Sequence, residues 1–266
     1  MCVEASPPSG CAKTSCGCGG HGRPAPAAAA PDPRVILALK FGESKETCNC
    51  SGQACPRHYM ALTGLLLGGF LLLHLALNAL TPWPEMFQSA VRRNHALGPL
   101  LPVLEVGLIF LPLAVHATLG LRTLRREKLK FGVKKHHHGS DLRQWLQRVS
   151  AVILLAFILF HVAVMHRWFG GRFNPSAAFA SASQAVWQFW HGLPVGHPAN
   201  LLIAEFYLLG IVAAVYHVAN GVATGAEVLG WVPTPAAQQR LWRACMLGAA
   251  LLLLAGLMAW NALAMK

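Results

Sequence analysis

The chain has 266 residues, 55% of them apolar and only 12% charged, with a formal net charge of +12. That balance excludes an ordinary water-soluble domain and indicates an integral membrane protein. The basic excess, which in a soluble chain would raise nucleic acid as a partner, belongs here to loops at a lipid surface, so no nucleic-acid partner is expected.

Residues 1–57 form a Cys-rich N-terminal segment, and 58–266 carry the apolar spans. Of the eight cysteines, seven fall within the first 55 residues, and the eighth is Cys245. No apolar run of signal-peptide type occurs there, so the segment is expected to stay in the cytoplasm, mostly irregular. Thiols in that compartment stay reduced, which favours metal binding over a disulfide framework. Two islands stand out: Cys11, Cys16 and Cys18 with His21, and Cys48, Cys50 and Cys55 with His58. Each holds a C-x-x-H unit. Together Cys18, His21, Cys55 and His58 supply the two Cys and two His of a Rieske-type [2Fe–2S] centre, although the C-x-H half of that pattern is missing. Cys48, Cys50, Cys55 and His58 alone would make a Cys₃His zinc site.

Five apolar spans follow at about 59–81, 99–121, 149–168, 199–224 and 243–263, each near the ~20 residues that cross a bilayer. Backbone groups in lipid must pair within their own segment, so the spans are helices and the fold is an all-α five-helix transmembrane bundle. Span one stops at Thr81-Pro82-Trp83-Pro84, with Trp83 suited to the interface. Span two contains Pro102 and Pro112, which imply a kink. The basic run Arg122 to Lys135, with His136–His138 behind it, reads as a loop facing lipid headgroups, with docking of an acidic subunit as the alternative. Loop three–four, His166 to His197, is rich in Trp and Phe; it is expected to lie in the interface plane as a short amphipathic helix, or to roof an apolar ligand. Span five has no His and is read as a support.

Lys and Arg set the orientation. The first segment carries six, loop two–three nine and loop four–five two, against two, two and one in the loops and terminus of the other side. The positive-inside rule therefore places the N-terminus in the cytoplasm and the C-terminus outside the inner membrane.

Four histidines lie deep within successive spans: His74, His116, His161 and His217. One such residue is commonly a polar group bonded to a neighbouring helix. Four in consecutive helices require more, because an ionisable group at membrane depth is costly. At 1.5 Å rise per residue, His116 lies about 9 Å from the inner landmark Arg122, whereas His74 and His161 lie roughly 24 and 20 Å past His58 and Arg148. His217, ten residues before Glu227, is also late in its outside-to-inside helix. The histidines thus sort into an inner pair, His116 with His217, and an outer pair, His74 with His161. Two histidines on facing helices at one depth can occupy both axial positions of a haem b, giving two haems in series. No C-x-x-C-H attachment motif is present. Glu105, 11 residues before His116, and Glu205, 12 before His217, are expected near the outer level as buried carboxylates for proton exchange with a quinone.

These residues, single histidines on helices one to four at intervals of 42, 45 and 56, resemble the single-chain di-haem cytochrome b anchor of the succinate dehydrogenase and fumarate reductase (succinate:quinone oxidoreductase) family over about 58–265. The resemblance implies a flavoprotein subunit that oxidises succinate, an iron–sulphur subunit that relays the electrons, and delivery to a membrane quinone, commonly menaquinone. It also implies that His116 and His217 hold the haem nearer the iron–sulphur subunit, and His74 and His161 the distal one. Where some menaquinone-linked members carry a Glu beside the helix-four ligand, this chain has Val215-Tyr216-His217. The alternatives are a cytochrome b of a hydrogenase or formate dehydrogenase, a haem-poor anchor with a Rieske-like N-terminal cluster, and a small transporter or assembly factor with structural histidines.

Overall fold

A computed structural model describes residues 56–126, 139–166, 171 and 173–264, all within one compact unit, Cys48–Lys266. Among the described residues there is no strand. In chain order the helices are α1 (Pro56–Asn78), α2 (Pro84–His95), α3 (Leu100–Glu105, a π turn at Val106–Phe110, then Leu111–Arg126), α4 (Gly139–Met165), α5 (Ala178–Trp187), α6 (Pro198–Val228) and α7 (Pro235–Ala262). Five of these, α1, α3, α4, α6 and α7, are long and apolar enough to cross a bilayer. The chain is therefore a multi-pass helical membrane protein.

The helix starts follow local chemistry. Pro198 and Pro235 each open a helix at a position where a missing N–H costs nothing. Before them the His197 ring accepts from the Ala199 N–H at 3.2 Å, and the Thr234 hydroxyl from the Ala237 N–H at 3.3 Å. Helix α7 thus begins before the expected residue 243, and α4 before 149. The polar first turns of both helices had read as loop; in α4 the charge of Arg143 is met by Asn220 and Trp242. Within α3, Pro112 has no N–H for the carbonyl four residues back. The ladder widens just ahead of it, and the Leu111 N–H donates to Val106 O, five residues back.

Helix α6 is the centre of the bundle and packs against α1, α4 and α7, while α3 packs on α1. Its buried face is built of small residues, Ala204, Gly210, Ala213, Ala214, Ala219, Ala223 and Ala226, which let helices approach where lipid offers no hydrophobic drive. A Cβ on Gly210 would run into the Phe157 ring, and one on Gly256 would stand 2.7 Å from Ile211 Cγ2. Outward, Leu247, Leu251, Leu254 and Met258 make an exposed apolar stripe on α7, the surface a lipid-facing helix presents.

Two short helices close one end. Helix α2 begins at Pro84, one of the two prolines read as a stop, and buries Phe87 and Val91 while Arg92 and Arg93 stay exposed. Its Gln88 carboxamide donates to Pro175 O and accepts from the Ala178 N–H. The expected short helix of loop three–four is α5, and it is sunk onto the bundle. Ala182, Ser183, Val186 and Trp187 are buried. The Ser183 hydroxyl donates to Leu263 O at 2.7 Å and the Trp187 indole N–H to Trp260 O at 2.9 Å. Small residues let α5 sink onto the bundle, and the aromatic side chains find carbonyl partners there.

Candidate functional site

The four intramembrane histidines meet as two pairs. The rings of His74 on α1 and His161 on α4 lie 5.9 Å apart at 79°, and those of His116 on α3 and His217 on α6 lie 6.3 Å apart at 89°. Neither pair joins helices that are themselves closely packed; the packing runs α3–α1–α6–α4, so each pair reaches across the bundle on a diagonal. His116 sits against Gly64 of α1, ten residues before His74. The two pairs are therefore about 15 Å apart along the helix axis.

Hydrogen bonds define the inner pair. His116 Nδ1 lies 3.0 Å from Met60 O, and His217 Nδ1 lies 3.3 Å from Gln147 O. A carbonyl only accepts, so each Nδ1 carries the proton and each Nε2 presents a lone pair. The outer pair is packed by rings instead. His161 stacks on Phe157 at 5.5 Å and meets Tyr207 edge-on at 5.8 Å, and His74 lies 5.6 Å from Phe70. His161 Nδ1 and the Tyr207 hydroxyl are buried without a hydrogen-bond partner.

Could these residues hold a haem? Metal–imidazole bonds are about 2.0 Å, so two rings facing each other across one iron have centroids roughly 6 Å apart. Both pairs stand at that spacing. Among the described residues there is no group of three or more His, Cys, Asp or Glu able to hold a metal ion by themselves. Pairs suit a haem, whose porphyrin supplies the other four nitrogens and leaves two axial positions to the protein. The unclaimed Nδ1 of His161 and the free Nε2 atoms of the inner pair are the donors this chemistry requires.

The acidic residues divide. Glu105 is half-buried at the end of the first segment of α3, with Oε2 3.1 Å from Nε2 of His166. Glu205 is exposed, which corrects the expectation of a buried carboxylate. Twelve residues of helix place it about 120° around α6 from His217, and so on another face. His58 is exposed in the first turn of α1. Cys18, His21, Cys48, Cys50 and Cys55 lie outside the described residues, as do His136–His138. Sequence reading passed over Gln147 and Ser150, which contact His217, and Asn220, which bonds Gln147; an amide three residues after an intramembrane histidine was the available signal.

No family model matches the chain. Over 188 residues, 69% of this chain and 83% of the relative, it is 29% identical to the succinate dehydrogenase cytochrome b558 subunit of Bacillus subtilis (strain 168). The resemblance drawn from the four histidines is thus met by sequence similarity across most of both chains.

Proposed function

Starting from this resemblance to a succinate dehydrogenase cytochrome b subunit, we propose that the chain is the membrane anchor and electron-transfer subunit of a succinate:quinone oxidoreductase. The observation that carries the reading is the pair of cross-bundle histidine contacts, 5.9 and 6.3 Å between ring centroids, at two depths. His116 and His217 hold an inner haem b, and His74 and His161 an outer one. Each haem, held by the two histidines of its pair, would supply a one-electron Fe(III)/Fe(II) couple.

The chain's own residues do the rest. Met60 O and Gln147 O orient the inner imidazoles through Nδ1, fixing the tautomer that ligates through Nε2. Phe157, Phe70 and Tyr207 hold the outer rings in an apolar setting that excludes water. Glu105, which pairs with His166, exchanges a proton with a quinone, menaquinone by the family resemblance. Succinate chemistry belongs to a partner flavoprotein, and an iron–sulphur subunit docks at the inner end, where the Lys and Arg excess lies. The membrane is the cytoplasmic one, with the N-terminus inside and the C-terminus outside.

The test is His116→Ala in the full-length chain, followed by reductive titration of the b-type absorption. The expected result is loss of the inner haem's signal with the outer one kept. Equal loss of both signals in a correctly inserted chain would contradict the pairing.

A further inference from the structure

Around His217 the bundle interior carries a polar network that the pairing alone does not require. Asn220, one turn further along α6 and only 3% exposed, is its centre. Its Oδ1 accepts from Arg143 Nε at 3.3 Å and from the Trp242 indole N–H at 3.2 Å. Its Nδ2 donates to Gln147 Oε1 at 2.9 Å. Gln147 Nε2 in turn donates to His217 O at 3.1 Å, while the Gln147 carbonyl faces His217 Nδ1 at 3.3 Å and takes the Ser150 hydroxyl at 3.1 Å. The Arg143 guanidinium is also held 5.1 Å over the Trp242 ring.

The polarity of this chain of bonds is fixed from one end. Arg and Trp side chains only donate, so Asn220 must turn Oδ1 to them and Nδ2 to Gln147. Gln147 must then present Oε1 to Asn220, which leaves Nε2 for the His217 carbonyl. Gln147 consequently grips His217 twice, at its backbone through the side chain and at its ring through the backbone. Three helices contribute: Arg143, Gln147 and Ser150 from α4, Asn220 from α6 and Trp242 from α7. A buried amide with every polar atom so engaged has one orientation, and a network without an unsatisfied member is rigid.

We propose that Asn220 is a positioning residue for the inner haem ligand: by locking Gln147 it keeps the His217 Nδ1–H bonded to a carbonyl, which holds Nε2 in ligating geometry and raises the basicity of the imidazole. A more basic axial ligand favours ferric iron. Loosening the network weakens the Nδ1–H bond, makes the imidazole a poorer donor and raises the reduction potential of the inner haem. The outer haem, about 15 Å away along the helices, is unaffected. This inference rests on the two-haem reading above.

The experiment is a redox titration of the b-type absorption in membranes bearing the full-length chain, comparing wild type, Asn220→Leu and Gln147→Met, with the inner signal defined as the one lost in His116→Ala. An upward shift of the inner midpoint with the outer midpoint unchanged is expected in both variants. An inner midpoint that stays or falls, or equal movement of both midpoints, overturns the proposal. Loss of both haems in both variants also overturns it, in favour of a purely structural role. Absence of a b-type signal in the wild type removes the haem reading itself, and a normal wild-type signal with unmoved variants removes only this inference.

Discussion

At Gly64 a methyl group would stand 2.9 Å from Cε1 and 3.3 Å from Nδ1 of His116, whereas at Gly69, on the same helix, it would meet nothing within 4 Å. Replacing a helical glycine by alanine gains up to about 1 kcal/mol in backbone terms. Overpacking an interior costs about 1–3 kcal/mol. Gly64→Ala is therefore expected to push the His116 ring off Met60 O, lower thermal stability and weaken the inner haem signal selectively. Gly69→Ala should leave the spectrum intact and melt no lower than wild type; equal behaviour of the two variants would contradict the close approach. The four histidines were legible at this scale because depth follows from a constant rise per residue. Glu205 was misread because a count of residues to His217 gives its depth but not its angle around α6, which sends it outward. The partners of His217 were illegible because Gln147 comes from a different helix, and no spacing rule links position 147 to 217.

At the scale of the element, the π turn of α3 decides where Glu105 points. One residue of overwidth in the ladder turns everything before it by about 100° relative to His116. Pro112 favours that turn, since an ordinary ladder would drive its ring against the carbonyl four residues back. In a Pro112→Ala chain the ladder is free to close, and Glu105 should rotate away from His166. Cysteines placed at positions 105 and 166 are expected to join through a short bifunctional thiol reagent, and to lose most of that yield when Pro112→Ala is added. An undiminished yield would show that the proline does not maintain the turn. The prolines themselves gave warning of irregularity in α3, but whether the answer is a kink or a π turn depends on packing against α1. Pro82 and Pro84 were read only as stops, which hid α2, because the same residue that ends one helix is well placed to open the next.

The whole molecule is a bundle whose packing runs α3–α1–α6–α4, with its histidines meeting on the two diagonals. Five apolar runs announced five crossing helices, because lipid leaves the backbone no alternative. The order of neighbours was not announced: it depends on which helices present small residues, as α6 does with its alanines and Gly210, and that is a property of faces in contact. The burial of α5 onto α6 and the end of α7 likewise follows from small residues and from the carbonyls of Trp260 and Leu263, partners far along the chain. The central claim is that both diagonals hold a haem. Its most direct test is the ratio of non-covalent haem b to chain in the purified full-length protein, measured as the pyridine haemochrome. We predict about two haems per chain, one for each bis-His pair; a ratio near one, or no haem b, would contradict it.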